Sequence, residues 1–171
     1  MDILDQLRCV LGHDAVLTGP ETAKWDHDWT GAYQSTPLAV LRPRNTDDVS
    51  AIMKIAHRTK TPVVPVSGNT GLNGGAQAQG ALLLSVDRLN TISRLDVQGR
   101  TATVGAGVIL SDLHTAAEDH DLIFPLTFGA RGSAMIGGVL STNAGGSNVL
   151  RYGNTRDLVL GIEVVMANGD I

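Results

Sequence analysis

Two segments of this chain are rich in glycine and free of charge. Residues 67–75 read SGNTGLNGG, and residues 132–146 read GSAMIGGVLSTNAGG. No Asp, Glu, Lys or Arg occurs in residues 61–86 or 132–150, so these segments offer backbone N–H groups, hydroxyls and amides instead of charge. Glycine lets the backbone approach a ligand closely and enter positive φ, and successive inward N–H groups form an anion-binding concavity. The chemistry this suits is the cradling of a dinucleotide pyrophosphate.

The spacing excludes the two commonest nucleotide motifs. Gly68, Gly71, Gly74 and Gly75 fit neither G-x-G-x-x-G nor G-x-x-x-x-G-K-[ST], and no Lys-Ser or Lys-Thr follows. Asp87 stands about 20 residues beyond the loop, but the segment between reads as a strand where a Rossmann unit has a helix.

The elements that position these segments follow from periodicity. Ile3, Leu4, Leu7, Val10 and Leu11 recur at helical spacing, with Gly12 as a stop. Trp25, Trp29 and Tyr33 lie four apart and suit either one helical face or an ordered connector. A short strand at residues 38–41 precedes a helix capped by Asn45 or Thr46, with Asp47 and Asp48 at its positive end and Val49, Ile52, Met53 and Ala56 as its buried stripe. A strand at 63–66 then feeds the first glycine loop, completing a β-α-β unit. Further on, residues 81–86 read as a strand, 94–104 as a hairpin turning at Gln98-Gly99, and about 110–120 as a helix presenting Leu110, Leu113 and Ala117. Residues 158–166 read as a last strand, followed by an Asn168-Gly169 turn whose return strand has only Asp170 and Ile171. The expectation is a piece of a longer protein.

Three ordered blocks carry a family resemblance: VVPVSGNTGLNGGA (63–76), PLTFGARGSAMIGGVLSTNAGG (125–146) and LRYGNTRDLVLGIEVVMANG (150–169). With them, residues 37–171 resemble the FAD-binding domain of the vanillyl-alcohol oxidase or p-cresol methylhydroxylase (VAO/PCMH) type, in its D-lactate, glycolate and D-2-hydroxyglutarate dehydrogenase branch. The resemblance implies an α+β fold of two lobes with FAD extended between them, here truncated before the second lobe is complete. Residues 1–36 would form an N-terminal helix and connector, residues 37–171 the FAD-binding domain, and the substrate domain would be absent. It further implies that Ser67, Gly68, Asn69, Thr70, Gly71 and Leu72 wrap the pyrophosphate, with Ser67 where the family commonly has glycine. Gly132, Ser133, Gly137 and Gly138 would make a second phosphate and ribose contact. Thr142, Asn143, Gly145 and Gly146 would run along the ribityl chain, and Tyr152 would lie near the flavin. Gly71 and Gly145 are expected at positive φ. Some relatives attach flavin through histidine, but His13, His27, His57, His114 and His120 all lie outside both loops, so FAD is expected to be non-covalent.

The implied activity is oxidation of a 2-hydroxy acid by hydride transfer to FAD, with catalytic residues outside this chain and the piece alone inactive. The alternative is a non-catalytic flavin-binding remnant or split subunit. Self-association of the truncated chain is expected. A net charge of −4 over 171 residues, with no Lys/Arg cluster, argues against nucleic-acid binding. The apolar runs are too short to span a bilayer, and a cytoplasmic location is expected. Cys9, alone, excludes an intramolecular disulfide and reads as a helix-face residue. Asp26, His27 and Asp28 read as a polar loop, not a metal cluster. Arg131 suits a cation beside a diphosphate or a plain surface charge equally.

Overall fold

The computed structural model describes residues 2–171. Helix α1 (Ile3–Leu11) starts at Asp2, whose carboxylate accepts the Ile3 N–H at 2.7 Å, and buries Leu7 and Leu11. Strand β1 (Val16–Leu17) leads to a 3-10 helix, Gly19–Trp25. Strand β2 (Ala39–Leu41), helix α2 (Thr46–Thr59), strand β3 (Val63–Val66) and strand β4 (Leu82–Ser85) complete the first lobe. The sheet order is β1-β2-β4-β3, with β2, β4 and β3 parallel and β1 antiparallel to β2.

Both central strands are fully buried, and apolar but for Ser85, because both sheet faces are covered. Alternate side chains point to opposite faces. Ala39, Leu41, Leu82 and Leu84 meet Leu7, Leu11, Ile52, Ile55 and Ala56 on α1 and α2. Val40, Leu83 and Val66 meet Trp25 and Ala78 on the other face. Burying each such Leu contributes about 1.5–3 kcal/mol. Asn45 caps α2 by accepting the Asp48 N–H at 2.8 Å.

The second lobe begins with the hairpin of β5 (Ile92–Asp96) and β6 (Thr101–Val104). Helices α3 (Leu110–Glu118), α4 (Ile136–Ser141) and α5 (Val149–Tyr152) and a 3-10 helix, Thr155–Leu158, follow. Val108, Leu110, Leu113, Leu126, Ala134, Ile136 and Val139 form its core. His114 Nε2 bonds the Leu126 carbonyl at 2.8 Å and so anchors the chain between α3 and α4.

Two expectations are decided by this architecture. Trp25 is buried, whereas Trp29 is 79% and Tyr33 44% exposed, so the three share no helical face and the segment is an ordered connector. Buried Asp28 organises it, accepting from Thr30 Oγ1 at 2.6 Å and from the Tyr33 N–H at 3.1 Å. Those bonds, that of Thr30 foremost, hold its carboxyl below the usual range.

The expected strand at 158–166 does not form. Thr155–Leu158 is a 3-10 helix, and among the described residues no strand pairs with residues 159–166. Apolar alternation favours a strand, but a ladder needs a partner for its N–H and C=O groups. Leu160, Ile162, Val164 and Met166 are exposed. The Asn-Gly turn does form: the Gly169 N–H donates to Met166 O at 2.9 Å and the Met166 N–H to Asp170 O at 2.7 Å. Ser50 of α2 then donates to Gly169 O at 2.6 Å, docking the turn on the first lobe.

Candidate functional site

Strand β3 ends at Val66 and releases the chain into the first glycine segment, while the second segment enters α4 across from it. The two touch through backbone. A Cβ built on Gly68 would lie 2.0 Å from Ser133 O, and one on Gly138 would lie 3.0 Å from Ser67 Cβ. Only glycine permits that approach. The Gly137 N–H donates to Ala106 O at 2.8 Å, tying α4 to the turn that follows β6.

Between the segments lies a cleft of about 750 Å³. Ser67, Gly68, Asn69, Thr70 and Gly71 line one side, and Gly137, Gly138, Thr142 and Gly145 the other, with Val86, Ala106, Phe128 and Val139 as apolar wall. A second cleft of about 440 Å³ shares Ser67, Gly68 and Asn69 and takes in Gly132 and Ser133, together with Lys24, Trp25, His27 and Asp87. Four sequence-derived candidates line neither cleft. Leu72 is 60% exposed. Asn143 turns its carbonyl to the Arg156 N–H at 2.9 Å. Gly146 sits where a Cβ would meet Thr127 O at 2.4 Å, and Tyr152 lies beneath the Arg151 guanidinium at 5.2 Å. Arg131 is exposed and also lines neither cleft.

The expected positive φ at Gly71 and Gly145 is not found. In these two segments the left-handed positions are Asn69 at 52°, Gly74 at 71° and Asn143 at 48°. Asparagine tolerates that region because its short amide bonds locally; here Asn69 Nδ2 donates to His27 O at 2.9 Å. Gly74 has a second constraint, since a Cβ there would meet the Tyr33 ring at 2.7 Å. Nothing in the spacing of the sequence signals that contact.

Among the described residues, no protein acceptor takes the backbone N–H of any of residues 67–73. In the second segment the N–H groups of Gly132, Met135, Gly145 and Gly146 are likewise left without a protein acceptor. Such clusters attract anionic oxygens. No titratable side chain lines the larger cleft. It can therefore bind and orient a ligand but supplies no acid or base. Its size falls in the range of cofactor pockets, and its open donors and apolar wall fit a dinucleotide with a ring system.

Charged side chains, Lys24 and Asp87 among them, line the smaller cleft. Arg42 Nε donates to both Asp87 oxygens at 3.1 Å, and Lys24 Nζ lies 3.9 Å from Oδ2. Burial pushes the Asp87 carboxyl up, but the Arg42 hydrogen bonds and charge outweigh it and hold the group below the usual carboxylate range. Asp87 is thus committed to joining β2 and β4. His27 Nδ1 pairs with Asp26 at the rim. Among the described residues no cluster of His, Cys, Asp and Glu has the placement to hold a metal, and no helix is long and apolar enough to cross a membrane.

Residues 37–171 match the family described as FAD binding domain. The chain is 44% identical over 155 residues to a D-2-hydroxyglutarate dehydrogenase of Xanthomonas citri pv. viticola, covering 88% of this chain and 33% of that protein. It is 43% identical over 148 residues to glycolate oxidase subunit GlcD of Bacillus subtilis, covering 86% and 32%. The structure of 6-hydroxy-D-nicotine oxidase from Arthrobacter nicotinovorans superimposes with a TM-score of 0.80 at 26% identity, covering 91% of this chain and 34% of that one. The chain spans about a third of the length of these relatives.

Proposed function

This chain belongs to the FAD binding domain family, and on that premise we propose that it is the FAD-holding portion of an oxidoreductase that oxidises a 2-hydroxy acid of the D-lactate, glycolate or D-2-hydroxyglutarate class. The observation that carries the reading is the run of acceptor-free N–H groups at residues 67–73, all of which but Leu72 belong to residues lining an uncharged cleft opposite α4. Residues 37–171 are taken as the domain and residues 1–36 as its helix and connector.

Ser67, Gly68, Asn69, Thr70 and Gly71 hold the pyrophosphate, with backbone N–H groups supplying the donors. Gly137, Gly138, Thr142 and Gly145 hold the sugar and ribityl portions, and Gly132 and Ser133 extend the contact toward the smaller cleft. When bound, FAD supplies the acceptor for the hydride that leaves the substrate carbinol carbon. The chain's own residues orient that group and exclude water along the wall of Val86, Phe128 and Val139. Substrate contacts and the proton acceptor are assigned to parts of the protein outside these 171 residues.

Attachment of FAD is non-covalent: none of the five histidines lines the larger cleft, and His27, beside the smaller one, has Nδ1 engaged by Asp26. Self-association of the 171-residue chain is supported by the exposed Leu160, Ile162, Val164 and Met166.

The test is titration of the apoprotein of the full-length gene product with FAD, followed by acid precipitation. Saturable binding with all flavin released to the supernatant is expected. Flavin in the pellet would refute non-covalent attachment, and absence of binding would refute the site.

A further inference from the structure

Gln77 follows the first glycine loop by two residues and lines the larger cleft. Its backbone N–H donates to Gly74 O at 3.2 Å, closing the loop. Its side chain is different: Oε1 is shut off from water, and no donor reaches it. The side chains of Ser35 and Gln79 are engaged elsewhere. Ser35 Oγ takes the Ala78 N–H at 2.9 Å and donates to Ala78 O at 3.0 Å, and Gln79 Nε2 donates to Gln34 O at 2.7 Å. A buried acceptor without a donor is a standing cost that a native structure keeps for a reason.

We propose that Gln77 is a cofactor-contact residue, its amide carbonyl accepting a hydrogen bond from an O–H or N–H group of FAD in the larger cleft. The proposal rests on the FAD reading of that cleft. Phosphate oxygens cannot be the partner, because they only accept. The donors FAD offers are its ribityl and ribose hydroxyls, the flavin imide N–H and the adenine amino group. The terminal amide torsion of glutamine is broad and soft, so the group turns toward an arriving donor at little cost. A neutral acceptor also suits a cleft that no charged side chain lines.

The test compares wild type with Gln77→Met, which keeps the length of the side chain and removes the acceptor, in the full-length gene product. FAD dissociation constants and apoprotein melting temperatures are measured together. The expected result is a dissociation constant raised about threefold to tenfold, one net hydrogen bond, while the apoprotein melts at the same or a higher temperature because its unsatisfied acceptor is gone. FMN and ADP-ribose locate the donor: a loss shared by FMN alone places it on the flavin or ribityl chain, and one shared by ADP-ribose alone places it on the adenosine half. An FAD constant within twofold of wild type overturns the proposal. So does a lowered melting temperature with equal losses for all three ligands, which marks a packing role. Failure of wild type to bind FAD overturns the cleft reading and this inference together, whereas wild-type binding with an unaffected variant overturns this inference alone.

Discussion

A single methyl group added at Gly68 tests whether the contact between the two glycine segments governs cofactor binding. In Gly68→Ala the new Cβ would lie 2.0 Å from Ser133 O, 2.9 Å from Ser133 C and 3.2 Å from Ala134 Cα. The first distance is about 1.4 Å short of ordinary van der Waals contact. All three atoms are backbone, so no flexible side chain can swing away. The segments must separate, and overpacking of this kind costs about 1–3 kcal/mol of stability. The same movement displaces the acceptor-free N–H groups that we propose hold the pyrophosphate. Losing one charge-assisted hydrogen bond of about 1.5–3 kcal/mol weakens FAD binding roughly tenfold to hundredfold. Gly129→Ala is the control: its φ is not left-handed, its Cβ would meet nothing within 4 Å, and it lines neither cleft. Flavin fluorescence quenching gives the affinity and thermal melting the stability. Gly68→Ala with wild-type affinity and melting temperature would refute the argument that this contact sets the geometry of the donors.

Asp87→Asn should lose about 1.5–3 kcal/mol at pH 7, the worth of a hydrogen bond to a charged group. Its carboxyl is held below the ordinary value, so its contribution is present above about pH 4 and fades as pH falls through the native-state value; chemical denaturation from pH 7 to pH 3 should show the wild-type advantage shrinking, and a constant gap would contradict it. Gly132→Ala should leave stability within about 0.5 kcal/mol of wild type, since an added Cβ meets nothing within 4 Å and φ is not left-handed. Weaker FAD binding by that variant would show that the cofactor reaches the smaller cleft, and unchanged binding would confine it to the larger one.

Elements that satisfy their own local rules were legible in the sequence. Helix α2 announces itself through its cap at Asn45, its acidic first turn and its apolar stripe, and the fully buried strands β2 and β4 through unbroken apolar runs. Strand β1 escaped because two residues carry no periodicity. Helix α4 escaped because Gly137 and Gly138 weigh against a helix by about 1 kcal/mol each, although Ile136, Val139 and Leu140 recur at helical spacing. At the site, composition pointed to the two segments that line the larger cleft, but the residues that turn the backbone were misassigned. Asparagine, not Gly71 or Gly145, holds two of the left-handed positions. The Tyr33–Gly74 contact and the unpaired amide oxygen of Gln77 arise only when distant segments meet, so no local pattern encodes them.

The absence of charge in the larger cleft has a consequence for how binding and folding are linked. Where a lysine or arginine holds a phosphate, the flexible side chain can follow small movements of the backbone. Here the donors are the backbone itself, and their positions depend on the packing of Gly68 against Ser133 and of Gly138 against Ser67. A ligand that binds only the closed arrangement stabilises that packing by mass action. The contact between the lobes and the affinity for cofactor should therefore rise and fall together. Gly132, where an added Cβ meets nothing within 4 Å, is the position at which the two separate, because a methyl group there leaves the packing of Gly68 against Ser133 undisturbed.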